Sequence, residues 1–231
     1  PGDSGDSILD YYLRDESIVP PERGVFLDVT WRLHPGICDF ISESFYEGKL
    51  KPLPENAERV VKLPADGGDR ITKEAGIVFV PVEHSGNSRS SEEEADAIVR
   101  LVEELSGRTH LDEKGKVVGE LGIEDILFVS PYNAQVRRLR DALPEGARVG
   151  SVDKFQGQEA PVVIVSLCAS EGETGPRGID FLLNRHRVNV AVSRARSLAV
   201  VVGDPRVARS PASTIDQMSC LNLLCRLRAE A

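Results

Sequence analysis

Apolar residues along this chain fall into short β-branched runs separated by longer stretches with helical spacing. The densest run, Val162, Val163, Ile164, Val165 and Leu167, lacks polar alternation and predicts a strand buried on both faces, as in a parallel sheet. Further runs predict strands at 25–29, 76–80, 126–129, 148–152 and 198–202, with a small additional one at 59–63. Between them lie helical patterns. One covers Ile8 to Leu13, and another follows Pro35 with Ile37, Phe40, Ile41 and Phe45. A third begins at Ser91, where Glu94 three residues on completes a capping box, and carries Ala95, Ile98, Leu101, Val102 and Leu105. The remaining helices are predicted after S-P-Y-N-A-Q at 130–135, over 184–195 and over 214–227. Strands alternating with helices predict an α/β fold, a three-layer and mostly parallel sheet. Residues 49–76 read as connection and minor sheet with little bearing on function, 108–122 as another polar connection, and 170–181 as a flexible segment.

Length and composition sharpen this only a little. A chain of 231 residues, 41% hydrophobic and 28% charged, is ordinary globular material, with no strong boundary for a second domain. A net charge of −9 removes an overall basic footprint for nucleic acid, so any such role needs a local patch. Basic spots occur at Arg185-His186-Arg187 and at Arg137, Arg138 and Arg140; the latter group suits a solvated helix face equally well. Four scattered cysteines without a C-x-x-C pair fit a reducing, cytoplasmic setting. The four histidines have no ligand spacing, so no metal site is expected. No apolar run is long enough to span a membrane.

Candidate chemistry sits in loops. In a parallel sheet the loops after strands gather at the carboxyl edge, which would bring together the segments after Val29, Val129, Val152 and Val202. Trp31, the only tryptophan, can stack on a planar base or seal the neighbouring helix; Arg32 beside it can grip phosphate or lie on the surface. Arg194, in N-V-A-V-S-R-A-R, can neutralise charge on a transferred phosphoryl group or be an ordinary surface arginine. The loop 151–159 packs Asp153, Lys154, Gln156, Gln158 and Glu159 around Gly157, where positive φ or close approach is possible. Glu159 can accept a ribose hydroxyl; the loop can equally be a surface turn. There is no G-x-x-x-x-G-K-[ST] and no G-x-G-x-x-G. If the chain handles ATP, it does so as half of a site.

The ordered set T-W-R-L-H-P, S-P-Y-N-A-Q, S-V-D-K-F-Q-G-Q-E and N-V-A-V-S-R-A-R…V-V-G-D resembles the second RecA-like domain of superfamily 1 helicases. The matching branch contains the nonsense-mediated-decay RNA helicase and the flap-processing nuclease-helicase. The resemblance implies a RecA-like P-loop NTPase fold lacking its own Walker A. It divides the chain into a lead-in at 1–24, the domain at 25–210 and a packed C-terminal helix at 211–231. The phosphate loop, with the Mg²⁺ ligands, is then expected upstream of Pro1, in a first RecA-like domain.

By the same resemblance Trp31, in place of the usual Tyr, would stack on adenine, and Arg32 and Arg194 would meet the γ-phosphate. Glu159 and Gly157 would lie near the ribose and γ-phosphate, with Gln156 coupling that site to the nucleic acid. Ser130, Pro131, Tyr132, Gln135, Ser151 and Val152 would border a single strand, DNA favoured over RNA, through its backbone. A departure from the family pattern is Ala160-Pro161, where an acidic residue usually follows the glutamate. The implied activity is ATP-driven 5′-to-3′ translocation or unwinding, with a DNA-repair role and a fused nuclease domain as extensions. A nucleic-acid-stimulated remodelling ATPase and a non-catalytic binding domain are the alternatives.

Overall fold

The computed structural model describes residues 16, 18–65, 67–173 and 178–231. The helix expected at 8–13 lies outside the described residues. Five parallel strands form the main sheet, in the order β3 (Gly76–Pro81), β9 (Ala195–Gly203), β8 (Ala160–Ser166), β6 (Ile126–Val129), β7 (Arg148–Gly150). Two short strands, β1 (Val29–Thr30) and β2 (Lys51–Pro52), pair in parallel apart from it, and β4 (Thr109–Leu111) and β5 (Val117–Glu120) form a hairpin.

Helices cover both faces, which explains the unbroken apolar run of β8: all seven of its residues are buried. Val163 and Val165 face one layer, with α1 (Pro35–Phe45), α5 (Arg185–Val192) and α6 (Ile215–Glu230); α4 (Gly178–Leu182) joins the same side. Val162 and Ile164 face the other, with α2 (Glu92–Leu105) and α3 (Asn133–Ala142). This is the RecA-like P-loop NTPase architecture. Adjacent residues of β8 thus belong to different cores, the period-two consequence of a pleated strand.

Three sequence expectations change. The run 25–29 is not a core strand: only Val29 and Thr30 pair, while Val25 and Leu27 are 84% and 80% exposed. Strand propensity reports fitness for a pleated, half-buried surface, and here no sheet edge receives the segment. The strand expected at 59–63 shrinks to a single bridge between Val61 and His110. The connection 108–122 contains the β4–β5 hairpin, whose turn is built by Asp112: its Oδ1 accepts the amides of Lys114 and Lys116, each at 2.9 Å, and Gly115 supplies φ +70°.

Candidate functional site

Glu159 immediately precedes β8 and Arg194 immediately precedes β9, and the next residues, Ala160 and Ala195, are paired in register. Both side chains therefore start from the amino ends of the two central strands. Arg32 joins them from the turn after β1: its Nε donates to Glu159 Oε2 at 2.6 Å and its Nη1 to the Ser193 carbonyl at 3.2 Å. The turn is pulled there by the His34 amide, which donates to the Arg196 carbonyl at 3.0 Å. The expectation of a carboxyl-edge gathering is thus corrected for these residues. The segment after Val29 is not a loop of the main sheet, and it lies against the opposite edge.

Two residues that the sequence reading passed over hold this turn. Asn56, 1% exposed, donates to the carbonyls of Thr30 at 3.4 Å and Leu33 at 3.1 Å. Arg59 donates to the carbonyls of Trp31 at 3.2 Å and Arg32 at 2.8 Å, and its other arm reaches Glu113 on the β4–β5 turn at 3.2 Å. Only the fold brings 56 and 59 beside 30–33, and no spacing signals it. Held so, the backbone of Trp31 is fixed while its side chain stays outside, 74% exposed.

The electrostatics favour an anion. Three guanidinium groups, Arg32, Arg194 and Arg196, face the single carboxylate of Glu159, with Arg196 Nη1 3.9 Å from its Oε1. Arg194 Nε is buried and has no hydrogen-bond partner. Burial, then the nearby positive charge of Arg32, lowers the Arg194 pKa from its ordinary value, with Glu159 opposing. A buried, unmatched donor in a cationic cluster is the feature that a phosphate oxygen would satisfy. The adjoining open cleft, about 520 Å³, is lined by Thr30, Trp31, Arg32, Arg59, Glu159 and Ser193 among others. Among the described residues, no group of three or more His, Cys, Asp or Glu could hold a metal ion.

The remaining candidates stand at the other edge. Ser130 follows β6, and Ser151 follows β7, whose Gly150 pairs with Val129. Val129 in turn pairs with Val165, five residues beyond Ala160, roughly 16 Å along the strand at about 3.3 Å per residue. The loop 151–159 therefore crosses the depth of the sheet from one candidate group to the other. Its turn is type II: Gln156 has φ −57° and ψ 128°, Gly157 has φ +79°, and the Gln158 amide donates to the Phe155 carbonyl at 3.0 Å. Gln156 and Gly157 are exposed; Ser151 and Pro131 are half-buried.

Ser130 and Gln135 are 0% exposed, and Tyr132 and Val152 are 6% and 8% exposed. Gln135 is wholly engaged inside: Oε1 accepts the Ser91 amide at 2.8 Å, and Nε2 donates to the Ser91 carbonyl and to Ser166 Oγ, each at 3.0 Å. Gln135 thus fills the place expected for Glu94 in the capping box, and its side chain does not border a strand. Ser91 Oγ does accept the Glu94 amide at 3.1 Å, but the Glu94 carboxylate turns inward. It accepts from Ser166 Oγ at 2.7 Å and from the Cys168 amide at 2.9 Å, and pairs with His84. Cys168, at φ +56°, is held in a left-handed conformation by that bond.

A parallel sheet covered on both faces, with a cationic cluster at the amino ends of β8 and β9, gives this chain the RecA-like P-loop NTPase fold. The chain belongs to the AAA domain family, whose model matches residues 5–206. It is similar to DNA-binding protein SMUBP-2 of Rattus norvegicus, 33% identical over 202 residues, 80% of this chain and 19% of that protein. Regulator of nonsense transcripts 1 homolog of Arabidopsis thaliana is 31% identical over 198 residues, 80% of this chain and 15% of that protein. DNA polymerase alpha-associated DNA helicase A of Schizosaccharomyces pombe is 30% identical over 194 residues, 80% and 28% respectively. The chain spans only 7% of the mouse exoribonuclease HELZ2, to which it is 28% identical. It is an AAA domain related to superfamily 1 helicases.

Proposed function

We propose that residues 25–210 are the second RecA-like motor domain of an ATP-driven helicase or translocase, closing over ATP held by a first domain. The observation that carries this reading is the meeting of Arg32, Glu159 and Arg194, from three separated motifs, beside an exposed Trp31. In this reading Trp31 stacks on adenine. Arg32 and the unmatched Nε of Arg194 neutralise charge on the transferred phosphoryl group, and Glu159 meets the ribose. Mg²⁺, bound with ATP through the first domain, would screen the phosphates.

At the carboxyl edge Pro131, Ser151 and the rims of Tyr132 and Val152 would border a single strand and hold its backbone rather than read bases. Gln156 and Gly157 lie in a short loop that joins the two edges, which supports a coupling role. The reading extends to DNA as the strand, a repair role, a fused nuclease domain and a cytoplasmic site.

The test is ATP turnover of the full-length protein with and without single strands, beside Arg194→Ala. Loss of the arginine is expected to cost on the order of 10³-fold in turnover. Equal turnover removes Arg194 from the site. Duplex unwinding set beside displacement of bound protein separates a helicase from a remodelling ATPase.

A further inference from the structure

The two oxygens of Glu159 engage different arginines unequally: Oε2 lies 2.6 Å from Arg32 Nε, and Oε1 lies 3.9 Å from Arg196 Nη1. Arg32 is steadied independently by the Ser193 carbonyl at 3.2 Å, so it does not need Glu159 to keep its place. Arg194, on the same cluster, keeps a buried Nε without a partner. The carboxylate therefore sits where an oxyanion would meet Arg32, and it satisfies Arg32 while leaving Arg194 unmatched.

We infer that Glu159 is an internal stand-in for phosphate: an arriving polyphosphate displaces it from Arg32, and Arg196 takes it over. The inference rests on reading the cluster as a phosphate site and adds the regulation of that site. Its energetics are balanced for exchange. The Arg32 and Glu159 side chains are 34% and 41% exposed, and such half-exposed ion pairs shift equilibria by less than about tenfold. A polyphosphate carries several negative charges and can engage Arg32 and Arg194 together, so it outcompetes one carboxylate. Arg196 Nη1 already stands 3.9 Å from Glu159 Oε1, on a strand anchored by the His34 amide at the Arg196 carbonyl, so the handover needs only closure to hydrogen-bonding distance. Without such a receiver, the freed carboxylate would repel the anion that displaced it. The exchange also keeps Arg32 from binding stray anions of low charge, because a single phosphate must compete with a tethered carboxylate.

The experiment uses the 231-residue chain with inorganic tripolyphosphate as the probe, titrated by calorimetry and by fluorescence of Trp31, the only tryptophan and the neighbour of Arg32. Glu159→Gln is expected to bind about threefold to fivefold more tightly than the wild type, since the competitor and its charge are gone. A carboxylate that merely props Arg32 predicts the opposite sign. Arg196→Ala is expected to weaken binding about threefold in the wild-type background and to have no effect beside Glu159→Gln. Equal weakening in both backgrounds makes Arg196 a direct anion ligand and overturns the exchange. Glu159→Gln binding no more tightly, while Arg32→Ala still abolishes binding, also overturns the exchange and leaves the phosphate site standing. Binding indifferent to both Arg32→Ala and Arg194→Ala removes the phosphate site itself, and the inference with it.

Discussion

His84 Nε2 and Glu94 Oε1 lie 2.9 Å apart, and neither side chain has any exposure to solvent. The pair sits beneath the carboxyl edge of the sheet and ties the segment after β3 to the first turn of α2. Through Ser166 Oγ and the Cys168 amide it reaches the end of β8, and His84 Nδ1 lies 2.7 Å from Ser170 Oγ. Asp204, also 0% exposed, joins from the end of β9, where Arg206 brackets it and donates to the His84 carbonyl at 2.8 Å. The Glu94 carboxylate thus links the ends of β3 and β8, and through His84 the network reaches the end of β9.

This pair makes stability depend on pH. Burial disfavours the imidazolium, but the hydrogen bond and charge of Glu94, aided by Asp204 and Glu93, outweigh it and raise the His84 pKa above 6.5. A pKa raised in the folded state contributes stability that is complete below the unfolded value and is lost as pH rises through the folded value. The melting temperature is expected to fall as pH climbs through and above the ordinary histidine range, and His84→Gln should flatten that slope. Glu94→Ala leaves His84, Ser166 and the Cys168 amide facing an empty position, at a cost of about 3–5 kcal/mol in denaturant unfolding.

Gln135→Met should destabilise the fold without changing single-strand affinity. It leaves the Ser91 amide and carbonyl without their partners, a loss of about 1–3 kcal/mol by denaturant unfolding. Affinity for a labelled single strand, measured where the variant remains folded, should match the wild type. A drop confined to binding would return Gln135 to the strand surface.

Trp31→Ala is the reverse case. At 74% exposure the side chain adds little to the core, so the unfolding free energy should move by less than about 0.5 kcal/mol. In the full-length protein its loss should raise the KM for ATP about tenfold, with Trp31→Phe recovering most of the deficit, as stacking on a planar base predicts.

Arg59→Lys tests the brace beneath the site. A guanidinium spans the carbonyls of Trp31 and Arg32 together with Glu113; a single ammonium on a flexible stem does not reproduce that fork. ATP turnover of the full-length protein should fall several-fold while the melting temperature changes little, although Arg59 contributes no group to the phosphate cluster.

Gly157→Ala probes the turn joining the two edges. Nothing lies within 4 Å of the position a Cβ would take, so the penalty is purely conformational, from φ +79°. It should amount to about 1 kcal/mol in unfolding free energy. If the turn couples the edges, stimulation of ATP turnover by single strands should fall more than basal turnover.

The main elements were legible because their patterns are local. The run at 162–167, the Ser91 cap and the stripe of α2 each carry the period of the structure they form. The run at 25–29 misled because an apolar stretch states a preference and only a partner strand makes a sheet. Arg32, Glu159 and Arg194 could be singled out as candidates from their segments, whereas Asn56 and Arg59 could not. Hydrogen bonds from side chains to a distant backbone leave no periodic trace.

The sequence by itself determined the alternation of strands and helices, the family resemblance of four motifs and the lack of a phosphate loop, all properties of neighbours along the chain. Only the tertiary structure decided that the arginine cluster stands at the amino ends of β8 and β9, across the sheet from the carboxyl edge where Ser130 stands. It likewise decided that Gln135, not Glu94, completes the cap at Ser91. Strand order and register set which ends face which, and those are fixed by burial of both sheet faces and by pairing across more than a hundred residues, as between Arg32 and Glu159, 127 positions apart.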